Sequence, residues 1–136
     1  MSGRKIEPFI RTPGGDLEIN VDMRDEWPGI AVLRLRGSIL PHAVPSLQGL
    51  FKDLEDAGHE QLALVLRHVE RICSAGLALL VGYCTRKGLE QDEASIVLID
   101  PSHHIEFTLK ELGVISLFPV FKEEVEAIDL LLGRQS

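Results

Sequence analysis

Two apolar runs constrain this chain more than any other feature: the uninterrupted pentapeptide Leu62-Ala63-Leu64-Val65-Leu66, and Ile96-Val97-Leu98-Ile99 led in by Ser95. Neither alternates with polar residues, so neither suits a strand with one face in water. Each reads instead as a strand covered on both faces. Such strands occur in parallel or mixed sheets, whose connections are helical. The intervening segments agree. Leu47, Leu50, Phe51 and Leu54 share one helical face, with Pro41 and Pro45 bracketing the start and Ala57-Gly58 the end. Ser74 to Lys87 is apolar almost all round in its first ten residues, turns basic at Arg86-Lys87 and stops at Gly88, which predicts a core helix. Ile105, Leu109 and Leu112 mark a short helix after Asp100-Pro101-Ser102, stopped by Gly113. Val125, Ile128, Leu131 and Leu132 mark a closing amphipathic one.

Upstream, Leu17, Ile19, Val21 and Met23 alternate, and alternation resumes at Ile30 after Asp25-Glu26-Trp27-Pro28-Gly29. This predicts a β-hairpin whose second strand closes at Gly37. Leu117-Phe118-Pro119-Val120-Phe121 reads as an edge strand, where proline is tolerated. The order β-β-α-β-α-β-α-β-α predicts one α/β domain with a mixed, partly parallel sheet. The 136 residues suffice for a single core. Residues 1–16 carry two prolines and three glycines and are expected to form a poorly packed lead-in ending in a Gly14-Gly15 turn. They could pair with the sheet, contact a second copy or stay disordered. The domain proper is expected over 17–136.

The formal charge of -7 disfavours a broad nucleic-acid face, which needs clustered Lys and Arg. The densest apolar run, Ala75 to Cys84, is half the ~20 residues a membrane span requires, so no membrane insertion is expected. Cys73 and Cys84 read as one helix and would stand ~16 Å apart at its rise per residue, too far for a disulfide. Two unpaired thiols and no evident leader point to a cytoplasmic protein.

Signatures of chemistry are few. No phosphate loop, HExxH, CxxC or GxSxG pattern is present. Adjacent His103 and His104 diverge by about 100° on a helix and do not suit one metal ion. His42, His59 and His68 are scattered singly and are assigned no catalysis. No metal, cofactor or catalytic residue is expected, and the chain is read as a non-enzyme. Ser74 carries two readings. A serine at a helix start is an N-cap worth ~1 kcal/mol. The same place, with free N–H groups and the positive end of the helix dipole, also suits reversible phosphorylation.

Val69-Glu70-Arg71-Ile72-Cys73-Ser74-Ala75-Gly76-Leu77 resembles the signature V-E-F-I-D-S-S-G-L of STAS domains, the anti-sigma factor antagonists of bacteria. Three more pieces follow in register. Leu35-Arg36-Gly37-Ser38-Ile39-Leu40 is similar to L-x-G-E-L-D, Ile96 to Pro101 to the family's fourth-strand region, and Leu112 to Phe121 to L-T-G-L-x-x-L-F-P-I-F. The resemblance spans about Leu17 to Leu130. It implies a mixed sheet with helices on one side, no catalysis, and docking on an anti-sigma factor serine kinase that ends when the helix-start serine, here Ser74, is phosphorylated. The docking surface it implies comprises Gly37, Ser38, Leu40, Arg71, Cys73, Ser74, Ala75 and Gly76.

Other STAS-type regulators, or a second copy in a homodimer, are the further partners considered. Three family aspartates are replaced by Leu40, Val65 and Cys73, expected in one neighbourhood. Arg67, His68 and Arg71 near Ser74 make the local balance positive, which favours an acidic partner or an anion. The missing aspartates keep open a non-phosphorylated scaffold of a stress-signalling complex. An accessory of a transporter or lipid pathway is the third reading.

Overall fold

The computed structural model describes residues 6–88 and 95–133. Six strands form one sheet in the order β1-β2-β3-β4-β5-β6. They are β1 (Phe9–Arg11), β2 (Leu17–Asp22), β3 (Ile30–Ile39), β4 (Gln61–Ile72), β5 (Ile96–Ile99) and β6 (Val120–Phe121). The helices are α1 (Val44–Asp56), α2 (Ser74–Gly88), α3 (His103–Glu111) and α4 (Glu124–Leu131). β1, β2 and β3 pair antiparallel, while β3-β4, β4-β5 and β5-β6 pair parallel. The sheet is mixed, as the element order predicts.

Both apolar runs lie in interior strands, β4 and β5, and every residue from Leu62 to Leu66 and from Ser95 to Ile99 is buried. Alternation divides them between two cores. Leu62, Leu64, Leu66, Ile96 and Leu98 join the cluster beneath α1, α2 and α3, which supply Leu47, Phe51, Leu77, Tyr83, Ile105 and Leu109. Ala63, Val65, Val97 and Ile99 face the other way, onto Ala127, Ile128 and Leu131 of α4. Three helices therefore share one face and α4 covers part of the other, which corrects the expectation that all helices lie on one side. Val65, Val97 and Ile99 would be stripped of cover without it.

Three further details depart from the sequence reading. The lead-in contributes β1, which pairs with β2 through Phe9–Asn20 and Arg11–Glu18, and Thr12 is buried with its N–H donating to Leu17 at 3.0 Å. An edge strand of three residues has too short an alternation to announce itself. Gly37 does not close β3. At φ +117°, it lets the strand turn against Asp16 and continue to Ile39. β4 runs well past its apolar pentapeptide, because two register shifts against β3, between Arg34 and Arg36 and between Gly37 and Ser38, break the alternation without ending the pairing.

The basic end of α2 does more than match the helix dipole. Lys87, 2% exposed, reaches Glu55 of α1, lies 3.3 Å from Glu60, and is joined on Glu55 by Arg86 at 3.0 Å. Hydrogen bonds from Arg86 and then Lys87 pull the Glu55 carboxyl down to about 2. Burial pushes the Tyr83 phenol up to about 12, and its O–H donates to the Glu60 carbonyl at 2.7 Å. These contacts lock α1 to α2 at the end remote from Ser74.

Candidate functional site

The carboxyl ends of β3 and β4 deliver two chain segments to the start of α2. Ser38 lies opposite Arg71 and Ile39 opposite Ile72. The Cys73 N–H then donates to the Ile39 carbonyl at 2.8 Å, tying the loop before α2 to the end of β3. The Cys73 carbonyl accepts from the Leu77 N–H at 3.0 Å, which makes Cys73 the cap and Ser74 the first helical residue. The expected N-cap role for Ser74 is corrected by one position. Aliphatic periodicity locates a helix start only to within a residue or two.

Gly76 is buried beneath this turn. A Cβ there would approach Ile39 Cγ2 to 2.8 Å and Ile72 Cγ1 to 3.0 Å, so only glycine lets α2 settle this closely on the two strand ends. The result is a compact surface. Ser74, Ala75 and Arg71 are exposed on it, while Cys73, Ser38 and Leu40 are half-buried. Leu40 accepts from the Ala43 N–H at 2.9 Å and turns the chain into the short 3-10 turn Pro41–Ala43 that leads to α1. The first-turn N–H groups of α2, a helix of 15 residues, place the positive end of its dipole at Ser74.

The structure does not bring all the sequence candidates together. Val65 is 4% exposed within the core beneath α4, so the three replaced aspartates do not share one neighbourhood. Only Leu40 and Cys73 stand near Ser74. Arg67 approaches Asp100 at 3.6 Å, and its charge acts on Glu124 of α4, so it belongs to the α4 side of the sheet. Gly37 is bound into the sheet: a Cβ there would lie 2.0 Å from the Asp16 carbonyl oxygen.

A second feature of the region was not singled out from sequence. Arg36, Gly37, Arg67, His68, Val69, Glu70, Ser102 and His104 line a cavity of about 630 Å³. Arg36 and His68 are neighbours across β3 and β4. The alternation of β3, which puts Arg34 and Arg36 on the face opposite Leu33 and Leu35, was the available signal. Among the described residues no group of three His, Cys, Asp or Glu side chains could hold a metal ion. No helix among them is long and apolar enough to cross a membrane.

The model of the STAS domain family matches residues 23–127. The chain belongs to the STAS family. Among solved structures it is similar to the anti-sigma factor antagonist SpoIIAA in its unphosphorylated form, with a TM-score of 0.70 and 21% identity over 87% of this chain and 99% of that one. An anti-sigma factor antagonist from Mycobacterium paratuberculosis matches at a TM-score of 0.70 with 18% identity, over 90% of this chain and 99% of that one. The Bacillus cell fate determinant SpoIIAA in its phosphorylated form matches at 0.64 with 18% identity, over 83% of this chain and 98% of that one. Comparison with curated proteins gives no match. Set on the STAS signature V-E-F-I-D-S-S-G-L, Cys73-Ser74-Ala75 replaces the aspartate and keeps the first of the two serines. Ser74 is thus the one hydroxyl this domain retains there.

Proposed function

We propose that this STAS domain is a non-catalytic protein-interaction module of the anti-sigma factor antagonist kind. It docks a serine kinase through Gly37, Ser38, Leu40 and the segment Arg71 to Gly76, and phosphorylation of Ser74 releases it. The observation that carries this reading is the exposed Ser74 hydroxyl in the first turn of α2, on a surface stitched to β3 by the Cys73–Ile39 hydrogen bond. A phosphate there carries about two negative charges, is favoured by the helix N-terminus, and changes the surface a partner meets. One similar protein is described in a phosphorylated form, which supports the switch.

Incubation with an anti-sigma factor serine kinase from the same genome and ATP, followed by intact-mass measurement, tests it. The wild type should gain one phosphoryl group and Ser74→Ala none. An unmodified wild type, or modification that survives Ser74→Ala, refutes the switch.

A second reading rests on Leu40, Cys73 and Ala75, which remove two carboxylates and one hydroxyl from the family's pattern at this surface. In that reading the same surface docks permanently in a larger assembly, as a scaffold. Light scattering that shows a stable complex without any modification supports it over the switch.

A further inference from the structure

α4 covers only part of its face of the sheet. Beyond it, Phe9 of β1, Glu18 and Asn20 of β2, Arg34 and Arg36 of β3 and His68 of β4 line a second cavity of about 200 Å³. This cavity and the larger one described above share Arg36 and His68. They adjoin at these two side chains, so a chain laid from His104 at the start of α3 to Phe9 at the sheet edge would pass through both and treat them as one cleft. Four strands at about 4.8 Å spacing give it a reach of roughly 14 Å across β1 to β4.

Its chemistry is uneven. Arg34 is committed, donating to both Glu124 oxygens at 2.9 and 2.8 Å and to Asp22 at 3.0 Å. Arg11 and Glu18 neutralise each other at 2.7 Å. The Arg36 side chain has no ion pair or hydrogen bond to any described residue, although it lies in a protein of charge -7. The side chains of His68 and His104 are equally uncommitted, Arg67 is held only at 3.6 Å from Asp100, and the acidic groups in the wall are Glu70 and Glu18, the latter opposite Arg36 across β2 and β3. Phe9, 53% exposed, closes the far end.

We propose that this cleft is a second docking surface, which borders the α2-start surface at Gly37, and that it takes an extended acidic segment of a partner protein. Carboxylates of the segment meet Arg36, His68 and His104, and an apolar residue of the segment rests on Phe9. Charge complementarity selects this occupant: unpaired donors of Arg36, His68 and His104 cluster in one cleft of a chain whose net charge is -7. Shape selects an extended chain over a small molecule. Arg36, Arg67, His68, Glu70 and His104 are all exposed, so the cleft encloses too little of a small ligand, whereas a peptide spans its length. The guanidinium of Arg36 suits carboxylates, which it grips with two parallel bonds.

The test is fluorescence anisotropy on the full chain with a labelled decapeptide of alternating glutamate and leucine. Wild type should bind it. Arg36→Glu should weaken binding about tenfold or more, the equivalent of one charge-assisted hydrogen bond. Phe9→Ala should weaken it severalfold, and raising the salt should loosen the complex. Lys52→Glu, the same change of charge on the exposed face of α1, should leave it unchanged, which separates a contact in the cleft from the net charge of the chain. Arg36 and Phe9 are exposed, and far-UV circular dichroism verifies the fold of each variant. No binding by wild type, equal binding of a lysine-for-glutamate peptide, affinity unmoved by Arg36→Glu, or displacement of the peptide by millimolar inorganic phosphate overturns the proposal, the last by assigning the cleft to a small oxyanion.

Discussion

Replacing Gly37 by alanine should damage this domain far more than a missing side chain on a half-buried glycine suggests. The backbone at Gly37 has φ +117°, outside the region that residues with a Cβ populate, a cost of about 1–3 kcal/mol. The new Cβ would also stand 2.0 Å from the Asp16 carbonyl oxygen and 3.3 Å from Leu17 Cα. Neither can retreat cheaply. Leu17 is paired with Gly37 and accepts from Thr12, and the Asp16 carbonyl accepts from the Ser38 N–H at 2.8 Å. Losing that hydrogen bond costs about 1 kcal/mol, and the forced shift of packed backbone about 1–3 more. The total is about 3–7 kcal/mol, a large share of the 5–15 kcal/mol of an ordinary domain.

The assay is urea unfolding followed by far-UV circular dichroism, with Gly49→Ala as the counterpart. A Cβ at Gly49, in the interior of α1, meets nothing within 4 Å and needs no unusual φ, so that variant should gain about 0.5–1 kcal/mol. A Gly37→Ala protein within about 1 kcal/mol of wild type would refute the reasoning.

The clasp between α1 and α2 should make stability fall in acid. The Glu55 carboxyl is lowered from 4.5 to about 2 in the fold, so its contribution is whole above pH 4.5 and lost as pH descends toward 2. The unfolding free energy of wild type should fall with pH between those limits, and Glu55→Gln should be less stable at neutral pH but lose less in that window; parallel pH profiles would contradict it. The two thiols should differ, because burial pushes Cys84 up to about 11. Iodoacetamide at pH 8 should label Cys73 first, with Cys84 reacting at a comparable rate only in denaturant, as mass spectrometry of the digested chain would report.

The fold's framework was legible where burial and periodicity coincide. The pentapeptide from Leu62 to Leu66 announces an interior strand because both of its faces are covered, and no other position in a mixed sheet asks for that. What escaped was the side on which α4 lies. Ala127, Ile128 and Leu131 show that α4 has an apolar face but not which face of the sheet receives it. The candidate site was read only in part. The signature predicts Ser74, Ala75 and Gly76 at a helix start, and α2 begins at Ser74 with Cys73 as its cap. Val65 stands where the family pattern has an aspartate, which groups it with Leu40 and Cys73, yet strand geometry turns it into the core under α4. Arg36 was passed over because it means little until β4 sets His68 beside it.

The two register shifts in β4 also act as a counter. Against β3, each inserts one extra residue, and the buried side chains on the α2 side become Leu66, Val69 and the half-buried Ile72, three residues apart instead of two. One such insertion alone reverses the parity of everything that follows, and a second restores it. Ile72 therefore enters the same core as Ile39, and the chain reaches Cys73 in phase to start α2 above its own strands. Natural variation in this stretch should consequently tolerate paired length changes and reject single ones, because an odd change would aim Ile72 at solvent and carry Ser74 away from the end of β3 on which the start of α2 rests.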